Sequence, residues 1–183
     1  MQYQIVQKLK GRRSGFSLIE LVVIVGIVGI LAGVGTASFF KTSEHERMRN
    51  GSRILSAWLE DQRRKAIQNS SACDITVNYQ SQITESTCDF DGLTETLNLR
   101  IEVSESRVTL LDDQGNLPAD AADNTQWSFS PRGTTTAGVE LRLRLDDSED
   151  GSQRCINIMT PLGLVRQGRL LQGESECDFT TAY

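Results

Sequence analysis

The chain has 183 residues, a net charge of −5, 38% hydrophobic residues, four cysteines and one histidine. That length holds one domain of ordinary size beside a leader or anchor, and not two domains. One histidine leaves little for nucleophilic or metal chemistry, and the acidic balance disfavours long-range attraction of polyanions.

Lys8, Lys10, Arg12 and Arg13 lead into Gly15 and Phe16, and a single carboxylate, Glu20, sits inside the apolar run that follows. No charge interrupts the sequence from Leu21 to Phe40. A carboxylate in the apolar core of a bilayer costs about 2.5–3.5 kcal/mol on insertion scales, so Glu20 calls for a partner or a function. Residues 16–40, as a helix, are long enough to cross a ~30 Å hydrocarbon core with some tilt. The basic excess precedes the run, which predicts a cytoplasmic N-terminus and export of the rest. Gly29 and Gly33 form a small-xxx-small pair that permits close helix packing. Two alternatives remain. A standard secretory signal has a shorter apolar region, of about 7–15 residues, and a small-residue cleavage site that is not cleanly present. A plain membrane anchor carries the glutamate incidentally.

Residues 41–70 read as an amphipathic continuation of the same helix. Ile54, Leu55, Trp58, Leu59, Ala66 and Ile67 form an apolar stripe, and arginines and Lys65 mostly occupy the other faces. No proline occurs before Pro118, so one helix from near Phe16 to near Asn69 is allowed. Residues 71–183 read as an exported antiparallel β domain. The alternation predicts strands over 73–79, 97–103, 107–111, 127–130 and 139–145. A hairpin is expected between 97–103 and 107–111, and another between 155–159 and 162–171. Residues 146–151 read as an acidic turn; their spacing does not fit a calcium loop.

The cysteines stand at 73, 88, 155 and 177, all on the exported side. An even count in an oxidising compartment points to disulfides, with three pairings allowed. Cys73–Cys88 and Cys155–Cys177 are favoured, because each closes a short local loop. No metal site, cofactor or catalytic constellation is expected, so the chain does not read as an enzyme.

The joint pattern of Arg13, Gly15, Phe16 and Glu20 before the apolar run resembles the class III signal of type IV pilins and type II secretion pseudopilins. The resemblance implies an α+β pilin-like fold, with a long N-terminal helix packed on an antiparallel sheet. It implies cleavage of residues 1–15 by a prepilin peptidase and methylation of Phe16. It also implies docking of Glu20 on the N-terminal amine of a neighbouring subunit. The leader holds four of the nineteen basic residues and no acid, so its removal takes the net charge from −5 to −9. Residues 127–133 and 159–166, with the Gly168-Arg169 pair, resemble the GspH/FimT branch. The implied function is that of a minor pilin or pseudopilin, a structural subunit at or near a filament tip. It would start in the bacterial inner membrane, with lipid around it, and then enter the filament. The implied partners are other pilins, the peptidase and the inner-membrane assembly platform. DNA uptake through Arg166 and Arg169 is the weaker alternative, since Glu174, Glu176 and Asp178 follow closely. A monomeric single-span anchor is a second alternative.

Overall fold

The computed structural model describes residues 17–102, 108–120, 123–145, 151, 153–171 and 173–180; at 32–45 and 101–102 it describes the backbone alone. A proline-free stretch of 51 residues, Leu18–Gln68, forms one helix, α1. Eight strands and one helical turn follow: β1 Cys73–Asn78, β2 Ile83–Cys88, β3 Thr94–Asn98, α2 Leu99–Glu102, β4 Val108–Leu111, β5 Thr125–Phe129, β6 Val139–Leu145, β7 Gln153–Met159 and β8 Leu164–Leu170. The class is α+β, as expected.

The chain divides into two compact units, Met1–Lys41 and Thr42–Tyr183. In the first, the described residues from Leu18 to Leu31 are helical and exposed throughout. Among the described residues no helix is long and apolar enough to cross a membrane. The expected span of 16–40 lies only partly within them, since the side chains of 32–40 fall outside.

In the second unit, Met48, Ser52, Leu55, Leu59, Gln62 and Ala66 are buried. They follow one another at steps of four and three, the spacing of a single helix face. Burying Leu55 and Leu59 fully contributes roughly 1.5–3 kcal/mol each. The face is rotated from the predicted stripe: Ile54 and Trp58 lie at its margin, and Ile67 is 42% exposed. Two of its positions are polar because they reach strand groups. Gln62 Nε2 donates to Glu95 Oε2 at 2.9 Å, and Ser52 Oγ donates to Gln167 Oε1 at 3.5 Å.

The strands form two antiparallel sheets, ordered β3-β2-β1-β5 and β4-β6-β7-β8. The expected hairpin between 97–103 and 107–111 is not formed. β3 pairs with β2, matching Leu97 to Thr84, whereas β4 pairs with β6, matching Leu110 to Leu143, so the two strands lie in different sheets. The alternation misled because Leu97 and Leu99 are both buried, one ending a strand and the other starting α2. Asn98 stops the strand by accepting the Arg100 N–H on its side-chain oxygen at 3.0 Å, an N-cap arrangement. Residues 103–107 lie outside the described set. β2 has no counterpart among the expected strands. Its inward face is Thr84, Ser86 and Cys88, so it shows no apolar alternation.

Gln82 joins the sheets. Its buried amide donates to the carbonyls of Tyr79 and Leu110 and accepts the Leu110 N–H. The side chain thus stands in for a strand residue against the edge of β4.

Candidate functional site

Glu20 lies in the first turn of α1, next to Leu21, whose N–H donates to the Ser17 carbonyl at 3.2 Å. A carboxylate there faces the positive end of the helix dipole. Around it, Leu18 is 82% and Ile19 70% exposed, and every large apolar residue on to Leu31 is at least 46% exposed. These exposed apolar residues run around the whole helix rather than along one stripe. A side chain at Gly29 would meet nothing within 4 Å. Gly33 is described by backbone alone, and Gly15 and Phe16 lie outside the described residues.

The segments that suggested the GspH/FimT branch converge on one residue of α1. Arg63 Nε donates to the Gly133 carbonyl at 2.8 Å, and its Nη2 donates to the Leu162 carbonyl at 3.2 Å. Gly163 packs directly against Gly133: a Cβ on Gly163 would stand 2.4 Å from the Gly133 oxygen. The Ser130 carbonyl accepts the Gly133 N–H at 2.8 Å and closes the turn. One guanidinium therefore ties the helix to both loops with charge-assisted bonds.

At the far edge of the second sheet, the C-terminal segment folds back on β8. Cys155 is joined to Cys177, and Cys73 to Cys88 in the other sheet. Arg169 and Asp178 exchange two backbone hydrogen bonds, of 3.0 and 2.8 Å. Val165 N–H donates to Glu60 Oε1 at 3.2 Å, and Leu171 N–H donates to Glu174 Oε2 at 3.4 Å. Gly168 leaves room for the tail, since a Cβ there would meet the Phe179 ring at 2.6 Å and the Asp178 oxygen at 2.7 Å.

The two arginines predicted for DNA are not brought together. Three residues apart on one strand, they point to opposite faces. Arg166 turns to the tail, its Nη2 donating to the Phe179 carbonyl at 2.9 Å and its guanidinium lying 6.0 Å from that ring's centre. Arg169 lies instead across from Arg154, a neighbour that sequence spacing does not reveal. The sulfurs of Cys155 and Cys177 and the Glu140 carboxylate lie within 4.8 Å of one another. The sulfurs are committed to the disulfide, and Glu140 Oε1 accepts from Arg142 Nε at 3.1 Å.

Residues 10–36 match the prokaryotic N-terminal methylation motif. Two solved structures resemble this chain, each at 14% identity. One is the type IV minor pilin FimU of Pseudomonas aeruginosa, with a TM-score of 0.48 over 75% of this chain and 96% of that one. The other is the minor pseudopilin EpsH of the Vibrio cholerae type 2 secretion system, with a TM-score of 0.49 over 70% of this chain and 99% of that one. No curated protein matches the sequence.

Proposed function

We propose that the chain is a minor pilin or pseudopilin: a structural subunit, not an enzyme, that enters a type IV pilus or type II secretion filament at or near its tip. The observation that carries this is the uncovered apolar helix headed by Glu20, in a chain that bears the methylation motif. In this reading prepilin peptidase cuts after Gly15 and Phe16 is methylated. The segment from Phe16 to Phe40 first lies in the inner membrane, with the domain exported. Glu20 then pairs with the freed amine of a neighbouring Phe16, which removes the cost of a carboxylate among apolar side chains.

Intact-mass measurement on protein from a host with active peptidase should show loss of residues 1–15 and one added methyl group. In parallel, Glu20→Ala should leave cleavage and membrane insertion intact while recovery with other pilin-like subunits falls sharply. An unprocessed wild-type N-terminus sinks the filament reading. Normal co-assembly of the Glu20→Ala protein removes the charge pairing and favours a monomeric anchor.

A further inference from the structure

We propose that Arg49, Arg53, Arg154 and Arg169 form a docking site for a short acidic segment, bearing two or more carboxylates, of a neighbouring filament subunit. The proposal rests on the filament reading above.

The pairing of β6, β7 and β8 sets three rows across the helix-facing side of the second sheet. The first two are Val139–Ile158–Val165 and Leu141–Ile156–Gln167, and they belong to the core or border it. The third is Leu143–Arg154–Arg169. It begins on a fully buried leucine and continues into two arginines. Side chains directly opposite on neighbouring strands approach closely, and like charges there are unfavourable. The helix adds to the crowding. Ser52 reaches Gln167 in the adjacent row, and Arg49 and Arg53, on either side of it in sequence, lie near enough to act on the charge of Arg154. Burial, then Arg49 and Arg169, then Arg53, all lower the pKa of Arg154; Glu46 alone opposes them.

Among the described residues this charge is only partly balanced. Two acids face it. Glu46 lies 3.5 Å from Arg49 Nη1, and Asp178, opposite Arg169, accepts from the N–H and hydroxyl of Thr180. Among the described residues, Arg53, Arg154 and Arg169 make no ion pair. Four guanidinium groups gathered at the margin of the core form a cationic patch that a bound anion would complement. Guanidinium groups favour carboxylates, which they can grip through two parallel hydrogen bonds. The surroundings restrict the ligand to a short one. Glu174 and Glu176 stand in the loop before Asp178, and the mature chain carries a net charge of −9. A long polyanion meets that field, whereas a segment of a few carboxylates meets chiefly arginines.

The test uses the full chain in membranes of its native host. Arg53→Glu/Arg169→Glu changes two exposed side chains, so leader cleavage and thermal midpoint should stay at wild-type values. Recovery of neighbouring pilin-like subunits after cross-linking should fall roughly tenfold or more, and acid-to-arginine changes in the captured partner should restore it. Arg154→Gln should lower recovery while leaving the thermal midpoint of the free chain unchanged or higher. Wild-type recovery by the double variant overturns the docking site and leaves the filament reading standing. Failure of the wild-type chain to capture any pilin-like subunit overturns both. Binding of a duplex oligonucleotide that the double variant loses, with subunit recovery intact, assigns the arginines to a nucleic acid and overturns the proposal. A drop in thermal midpoint for Arg154→Gln makes that residue structural and also overturns it.

Discussion

Replacing Gly163 by alanine tests the junction between α1 and the two loops beneath it. Gly163 has φ of +63° and a Cβ there would stand 2.4 Å from the Gly133 carbonyl oxygen, far inside contact distance. Gly92 is a matched control, with φ of +64° and nothing within 4 Å of the added carbon. The left-handed backbone alone costs an L-residue about 1–2 kcal/mol. The Gly163 variant must also push away a backbone oxygen that accepts from Arg63 Nε, and with it the Leu162 carbonyl held by the same guanidinium. Each charge-assisted bond lost costs about 1.5–3 kcal/mol. With one of the two bonds lost, the expected totals are about 1–2 kcal/mol for Gly92→Ala and about 2.5–5 kcal/mol for Gly163→Ala. For a chain of this size each kcal/mol moves the melting midpoint by about 2–4 °C. Near-ultraviolet circular dichroism of the full chain in mild detergent, heated with each substitution, measures the difference. Equal shifts for the two variants would mean that the close approach of Gly163 to Gly133 carries no weight, and the reasoning fails.

Removing the Cys155–Cys177 bridge by Cys155→Ser/Cys177→Ser should destabilise the domain by about 3 kcal/mol, given its separation of 22 residues. It should also free residues 175–180 to protease; wild-type protease resistance would show that the backbone bonds to Arg169 hold the tail unaided. Glu95 is held below the usual carboxylate range, first by the hydrogen bond from Lys65 and then by that from Gln62. Its contribution is therefore present above the ordinary carboxylate pKa and is lost as pH falls through the lowered one. Both partners are part-exposed, which limits the pair to about 1 kcal/mol or less. Glu95→Gln should thus lower stability near pH 7, with the gap to wild type closing in acid. A gap that stays constant on acidification contradicts the assignment.

The sequence was most legible where burial and period agree. Residues 139–145 alternate over a buried face and form β6 with those bounds. The long helix follows from absent prolines and a steady apolar face, and its end falls where Ser70 takes a positive φ. Legibility failed where polar side chains do a core residue's work. Thr84 and Ser86 line a buried face that no apolar count marks, and Gln82 replaces a stretch of strand pairing. It failed also where contact is made across strands. Nothing in the spacing of residues 154 and 169 announces that two arginines meet, because register is set by the hairpin that joins them. The Arg63 junction was half visible. Its two glycines belong to segments whose turn residues mark them in the sequence, but the helix residue that binds the Gly133 and Leu162 carbonyls reads as one more surface charge.

The outer edge of β8 has a consequence for how this domain meets other chains. A bare strand edge invites another chain to add to the sheet. Here Glu60 occupies the outward N–H of Val165, Glu174 that of Leu171 just past the strand, and the chain's own end, pinned by Cys177, occupies the groups of Arg169. The tail acts as a built-in stop for sheet-to-sheet polymerisation. Backbone templating, which is promiscuous, is thereby disfavoured at this edge, and any association there falls to side-chain contacts, which depend on who the neighbour is. Reducing the Cys155–Cys177 bond would weaken that stop and expose the subunit to association of the wrong kind.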